Sequence, residues 1–312
     1  MKQLLVLSKE NLELSSSEVI ELLNLKKVKL INNFLIFSKN FEEEEFNLAY
    51  TRKILELLFE CKKEELEEKL SKFDFSKYYI NNFSLRVPQN NKRDKELGGI
   101  IYKNLENPNV KLKNSESQFE IYFYKEKAFV CLLKKELNNK FEERKSHRRP
   151  SPHPSSLHPK LARCMINMLG RNAKIIVDPF CGSGGLLIEG GLINKKMIGV
   201  DLDPIMIKRS YENLKHFKIN FFELEQRDST DIQRMDYFVT DLPYGLNTKT
   251  IELDLLYENF FKNLQFKKAV VGFPDFVNYK KILRKQNIKI KKEFNYYLHK
   301  NLNKKIVILS LF

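Results

Sequence analysis

Tryptophan is absent from this chain and cysteine is scarce, with four residues in 312, at positions 61, 131, 164 and 181. No two of them stand in a CxxC pair, so neither a zinc knuckle nor a disulfide framework organises the sequence. Long apolar runs are missing as well. No stretch approaches the ~18 residues of a membrane span, and the opening MKQLLVLSKENLE meets an acid before the core of a signal peptide forms. These absences predict a cytoplasmic protein in a reducing compartment, with no membrane and no metal partner. Glycine is nearly missing from the first half: only Gly98 and Gly99 precede Gly170, and all nine others lie from there on. Tight backbone turns are thus concentrated in the second half.

Hydrophobic residues make up 42 % of the chain, enough to bury a core, and the length suits two domains. Charge is unevenly placed. Residues 1–145 carry 27 basic and 24 acidic side chains, residues 146–312 carry 28 and 16, and the net charge of +15 therefore sits mostly in the second half. Within it, 262–305 holds 13 Lys and Arg against Asp275 and Glu293 alone. Such a field attracts a polyanion, nucleic acid first among them. Lysines accumulated by compositional drift would spread evenly instead.

The first 60 residues read as short strands (QLLVL, VKLINNFLIF) around a helix. Apolar spacing from Leu55 to Leu70 predicts an amphipathic helix. NFSLRV, QFEIYFY and KAFVCLL read as strands, with a helix near KELGGIIY. Segment 138–158, rich in proline and serine, reads as a linker. From Lys174 onward, apolar strands alternate with helical stretches, the pattern of a parallel α/β sheet.

KIIVDPFCGSGGLLIEGGLI is a strand, a glycine turn and a helix opening at Gly185 or Leu186. Gly182, Gly184 and Gly185 let the backbone turn tightly and lie close to a ligand, with Pro179 and Ser183 inside the turn. Asp178 ends the strand, placed for an ammonium or a water. A second strand, KKMIGVDLD, ends in Asp201 and Leu202, 23 residues beyond Asp178; a carboxylate there suits the two ribose hydroxyls of a nucleoside. The spacing is that of a dinucleotide site, but an acid beside the glycines repels a pyrophosphate and welcomes an amino group. That favours S-adenosylmethionine over NAD. Asp228, with Ser229 beside it, is the candidate acceptor for an adenine amino group; Asp231 is its rival three residues away.

YFVTDLPYGLNT runs an apolar strand into Asp241-Leu242-Pro243-Tyr244. The exocyclic amine of a nucleobase is a poor nucleophile because its lone pair is delocalised into the ring. Asp241 is placed to accept one of its N–H bonds and the Leu242 carbonyl the other, fixing the nitrogen for in-line attack. Pro243 stiffens the loop and Tyr244 offers a face for stacking. Whether Asp241 takes the proton or only polarises the amine stays open. Three histidines (His147, His153, His158) crowd the linker without a cysteine or acid at ligand spacing, so no zinc site is expected. Arg148 and Arg149 are candidates for phosphate contacts, as are Lys281, Lys285, Lys291 and Lys292 in the basic stretch.

In this order, Asp178-Pro-Phe-Cys-Gly-Ser-Gly-Gly185, Gly-Val-Asp201 and Asp241-Leu-Pro-Tyr244 resemble the class I amino-methyltransferases that act on nucleic acids. The lead-in His147-Arg-Arg-Pro150 and His153-Pro-Ser-Ser-Leu-His158-Pro-Lys-Leu-Ala-Arg163 narrows the resemblance to the archaeal THUMP-domain tRNA (guanine-10) N2-methyltransferases. Phe83-Ser-Leu-Arg-Val87, Leu97-Gly-Gly-Ile-Ile101, Asn107-Pro-Asn-Val-Lys111 and Lys127-Ala-Phe-Val130 look like the THUMP module. The resemblance implies a Rossmann-like class I methyltransferase domain over 159–312, preceded by an α+β region: a ferredoxin-like lobe (1–60), a THUMP-like RNA-binding domain (61–137) and the linker. It implies methyl transfer from S-adenosylmethionine to N2 of guanosine 10 of tRNA, the base flipped to reach the site. Two departures stand out: Leu242 replaces the usual first proline of the tetrapeptide, and HKNLNKKIVIL lacks the family's Ser-Leu-Thr-Arg-Arg stretch. Methylation of guanine N2 elsewhere in tRNA or ribosomal RNA, of adenine N6, or a non-catalytic RNA-binding subunit are the alternatives. A monomer and a complex with an accessory subunit both stay open.

Overall fold

The computed structural model describes residues 1–39, 47–244, 250–299 and 302–311. Their strands fall into two sheets of seven, one in each of two compact units. The first unit takes the described parts of 1–12, 26–46 and 51–138, the second those of 13–25, 47–50 and 139–312.

In the first unit, β1 (Lys2–Leu7), β2 (Lys29–Ile31), β3 (Phe34–Ser38), β4 (Thr51–Lys62), β5 (Phe83–Arg86), β6 (Ser117–Tyr124) and β7 (Lys127–Glu136) line up as β2-β3-β1-β4-β7-β6-β5. All neighbours are antiparallel except the parallel pair of β5 and β6. The short strands expected in residues 1–60 are present, with the expected helix between β1 and β2, namely α1 (Leu12–Leu23). The helix expected over 55–70 is not. Residues 51–62 are strand, and only α2 (Leu66–Lys72) is helical. The reason is tertiary: β4 pairs with β1 on one side and β7 on the other, so Leu55 sits between Leu4 and Leu133. A central strand buried on both faces carries a near-continuous apolar run that mimics helical spacing. The boundary expected at residue 60 consequently falls inside β4, and residues 1–60 and 61–137 share one sheet. Alternate residues Phe119 and Ile121 of β6 point into a core closed by Leu66 and Leu70 of α2 and by Leu97 and Ile101 of α3 (Asp94–Lys103).

The second unit has the α/β pattern expected from residue 174. Strands β8 (Ile175–Asp178), β9 (Lys196–Asp201), β10 (Phe222–Gln226), β11 (Tyr237–Asp241), β12 (Lys268–Pro274), β13 (Ile288–His299) and β14 (Leu302–Leu311) run in the order β10-β9-β8-β11-β12-β14-β13. The first five are parallel, and the β13–β14 hairpin closes the sheet antiparallel to β12. Alternation along the strands feeds two cores. Val270, Ile306 and Ile308 face α1, α4 (Pro159–Met168) and α5 (Gly185–Gly191), whereas Ala269, Val271, Val307 and Leu309 face α7 (Thr250–Phe261) and α8 (Tyr279–Lys285). The helix α6 (Pro204–His216) follows β9.

Two assignments of the sequence shift here. Residues 139–158 belong to the second unit and are tied into it: Arg144 makes a two-point ion pair with the buried Glu189, at 2.6 and 3.1 Å. Ser151 exchanges hydrogen bonds with Asn213, at 3.0 and 2.9 Å. The segment is irregular because it is proline-rich, yet it is packed. In addition, α1 belongs to this unit and not to the sheet that surrounds it in sequence. Its fully buried Glu18 accepts hydrogen bonds from the amides of Ala49 (2.6 Å) and Tyr50 (2.9 Å) and from Asn167 Nδ2 (2.6 Å). Burial pushes the Glu18 carboxyl above its usual range.

Glu189, on α5, also accepts Arg163 Nη2 at 2.9 Å, so one buried carboxylate answers two guanidinium groups. Removing one partner from a buried ion pair strands the other charge, at a cost of about 3–5 kcal/mol. Glu189→Gln is therefore expected to lower the midpoint of thermal unfolding of this unit by roughly 10 °C; a fall under ~2 °C would show that water reaches the pair.

Candidate active site

Strands of a parallel sheet end on the same edge, and here their last residues are acids. Asp178 ends β8, Asp201 ends β9 and Asp241 ends β11. All three line a cavity of about 510 Å³, together with Gly182, Ser183, Gly185, Leu202, Asp228, Ser229 and Leu242–Tyr244. The spacing read from the sequence thus converges on one place.

The glycine turn has the conformation its residues allow. Gly182 (φ +52°) and Gly184 (φ +82°) lie in the left-handed region, and a Cβ on Gly184 would stand 2.8 Å from Ser210 Oγ. The turn is held from two sides. Asp201 accepts the amides of Gly182 (2.8 Å) and Asp203 (3.0 Å), and Cys181 N donates to Val200 O at 2.9 Å. From α6, Ser210 Oγ donates to the Gly182 carbonyl and Asn213 Nδ2 to that of Ser183, both at 2.9 Å. Pro179 and Gly184 shape the turn without lining the cavity. Ser229 Oγ donates to the Pro179 carbonyl, and Asp228 caps its own turn by accepting Thr230 N at 2.9 Å.

Asp178 is only 1 % exposed. Burial above all, with the nearby carboxylates of Asp201 and Asp241, pushes its pKa up to about 8. Burial also raises the Asp241 carboxyl, opposed by the Lys304 ammonium, which donates to Asp241 Oδ2. Oδ1 of Asp241 is buried and has no hydrogen-bond partner among the described residues. It has space only because β12 places Gly272 opposite, where a Cβ would come within 2.6 Å. Leu242 N continues the sheet by donating to Gly272 O (3.1 Å). The Pro243 carbonyl accepts the hydroxyl of the buried Tyr257 (2.7 Å), and the Tyr244 ring lies 4.2 Å from Lys304 Nζ. Gly245, next after the tetrapeptide, lies outside the described residues.

The cavity thus gathers three strand-end carboxylates, a glycine turn and an aromatic ring at one edge of the sheet. The family model described as RMKL-like, methyltransferase domain matches residues 146–304, every motif of the cavity included; another described as DNA methylase matches 11–212 and stops short of Asp241. The tRNA (guanine(10)-N2)-dimethyltransferase of Methanothermobacter thermautotrophicus is 28 % identical over 286 residues, covering 84 % of this chain and 83 % of the relative. That of Methanocaldococcus jannaschii is 28 % identical over 317 residues, covering 95 % and 80 %. The chain belongs to the family defined by the RMKL-like methyltransferase domain, and these curated relatives carry the name tRNA (guanine(10)-N2)-dimethyltransferase. Among solved structures, TrmN from Thermus thermophilus covers the whole of both chains at 15 % identity with a TM-score of 0.53, a likeness of fold. The fold of the second unit is accordingly that of the class I methyltransferases.

Arg149, expected among the phosphate contacts, is 4 % exposed: its Nε donates to the Arg144 carbonyl and its guanidinium lies against Gly185, out of reach of a polyanion. Arg148 is exposed. Of the four lysines, Lys285 pairs with Glu258 (2.6 Å) and Lys292 with Glu21 (3.0 Å), whereas Lys281 and Lys291 are exposed. The sequence reading missed five contributors: His153 and Ser156 from the supposed linker, Tyr257, Asn213 and Lys304. Only the first two carried a signal, lying inside the His153–Arg163 stretch on which the resemblance was narrowed.

Tyr257 reaches the tetrapeptide by one hydrogen bond, worth about 1 kcal/mol in stability. Tyr257→Phe is expected to leave the unfolding midpoint within ~3 °C of the parent while slowing turnover several-fold, because the Pro243 carbonyl loses its anchor. Steady-state rates and a melting curve on the same sample check both halves.

Proposed function

We propose that the enzyme transfers a methyl group from S-adenosylmethionine to the exocyclic N2 amine of guanosine in tRNA, at guanosine 10, once or twice. The observation that carries this reading is Asp241 Oδ1, a buried carboxylate oxygen that lacks a hydrogen-bond partner among the described residues. It shares its cavity with an aromatic ring and a second set of acids at nucleoside spacing.

The residues fit the cofactor. Asp178, a buried carboxyl with no cation paired to it among the described residues, suits the ammonium of the methionine moiety. The open glycine turn admits the backbone of the ligand, Asp201 suits the ribose hydroxyls, and Asp228 with Ser229 and Leu202 suits the adenine. When bound, S-adenosylmethionine supplies a methyl group on a positively charged sulfur. The protein positions the other reactant. Asp241 Oδ1 and the Leu242 carbonyl accept hydrogen bonds from the two N–H groups of the amine, which would direct its lone pair toward the methyl group that the cofactor supplies. Tyr244 stacks on the flipped base, and the developing positive charge on N2 is stabilised by the carboxylate. Bound there, the cofactor would supply the methyl group, its sulfur keeping the electron pair of the broken bond, and the proton lost from N2 would pass to solvent, directly or by way of Asp241.

The first unit is read as a THUMP-like, RNA-binding arm that grips the 3′ acceptor end. The family-like motifs fall on its β5, α3 and β7, and exposed Arg148, Lys281 and Lys291 add phosphate contacts on the methyltransferase unit.

Asp241→Ala is expected to cost at least about two decades in rate with cofactor affinity kept. Transfer of tritium from labelled cofactor to an unmodified tRNA transcript, followed by nucleoside digestion, tests the reaction itself. Label in N2-methylguanosine that disappears on substituting guanosine 10 supports the reading, and label on adenosine overturns the substrate. A separate expectation concerns protons. Below about pH 8 Asp178 holds a proton, and a bound ammonium stabilises the ionised form, so cofactor binding near pH 7 should release approaching one proton. Calorimetry in two buffers of different ionisation enthalpy measures it; Asp178→Asn should release none.

A further inference from the structure

Position 304 lies on β14 in line with Ile306 and Ile308, both fully buried on the same face of the sheet. An aliphatic side chain would satisfy that face. The residue is a lysine, 1 % exposed in its side chain, set between Pro274 of β12 and Tyr296 of β13. Burying an ammonium costs several kcal/mol unless it is paired. Lys304 has one carboxylate partner among the described residues, Asp241 Oδ2, and its Nζ also sits over the Tyr244 ring at 4.2 Å. Its neighbour Lys305 faces the other way, to Glu293 and Asn295. At this hairpin a single cation touches two of the four tetrapeptide residues.

We propose that Lys304 is a positioning residue of the methyl transfer: it keeps Asp241 ionised and engages Oδ2, so that Oδ1 alone is presented to the target amine. The proposal rests on the reading of Asp241 as the amine clamp. The groups that face Asp241 make the lysine necessary. From β8 comes the carboxyl of Asp178, from α7 the phenol of Tyr257 and from the tetrapeptide the phenol of Tyr244, while β12 contributes Gly272 and no charge. Among the described residues Lys304 is the sole cation in contact with a carboxylate that burial pushes toward its neutral form. A neutral Asp241 would offer the amine a weaker acceptor. Activity needs the ionised form, which exists above the pKa of Asp241 and is lost as the pH falls through it. Removing Lys304 raises that pKa, and the acid limb of the rate profile moves up.

The test is single-turnover methyl transfer by the full chain on tRNA transcript across pH 5.5 to 9.5, with cofactor affinity measured alongside. Lys304→Met is expected to be about a hundredfold slower near pH 7, with cofactor affinity unchanged and the acid limb raised by roughly one pH unit or more, so the deficit shrinks at high pH. Lys304→Arg, which keeps the charge, should stay within about tenfold of the parent with its limb in place. Should the methionine variant not fold, Lys304→Gln takes its place with the same expectation. In an Asp241→Asn background, Lys304→Met should cost less than about threefold more, because the lysine acts through the carboxylate. An unmoved limb, or losses that add in the double variant, would mean that Lys304 only fills space, and would overturn the proposal. If Asp241→Asn alone turns over like the parent, the clamp reading fails, and this proposal with it; a failure confined to the Lys304 variants leaves the clamp standing.

Discussion

Gathering acids at one edge of a parallel sheet is the constraint from which the rest of this site follows. Because β8, β9 and β11 run the same way, their terminal carboxylates cannot be dispersed: Asp178, Asp201 and Asp241 share one cavity. Each is compensated differently. Asp201, partly exposed, is satisfied by two backbone amides and thereby becomes the clasp of the glycine turn. Asp241 has a lysine drawn into the core. Asp178, with no cation among the described residues, is pushed toward its protonated form. The three solutions give one residue type three environments: backbone amides around Asp201, a buried ammonium beside Asp241 and an apolar burial that raises Asp178.

How far this was legible in the sequence follows from the range of each determinant. A strand that ends in an acid and a turn built on glycine are local, so Asp178, Asp201 and Asp241 were readable, as was the α/β order after residue 174. Residues 55–62 were not, because a central strand paired on both sides looks like a helix until its neighbours are known. The linker was misjudged for a related reason. Proline and serine report irregular backbone, not exposure, and Ser156 stands 2.8 Å from Ser183 of the glycine turn. Lys304 was invisible in another way: in a chain with 55 basic residues, nothing local separates a buried lysine from a solvated one. Arg149 was misread for the same reason, in the opposite direction.

The basic stretch 262–305 shows how net charge overstates an electrostatic surface. Lys268 and Lys292 both pair with Glu21, Lys280 and Lys305 with Glu293, Lys285 with Glu258, and Lys304 is buried. Much of the excess is spent internally, and the charge available to a polyanion is smaller than the composition suggests.

Glu18 adds a dimension of time. Its amide partners at Ala49 and Tyr50 leave the ribosome soon after it, but Asn167 follows 149 residues later. During synthesis α1 therefore exists long before the surface it docks on, while the strands of the first sheet are made around it. The order of translation and the order of assembly are inverted for this one helix, and the methyltransferase unit is completed by a segment that was among the first to be made.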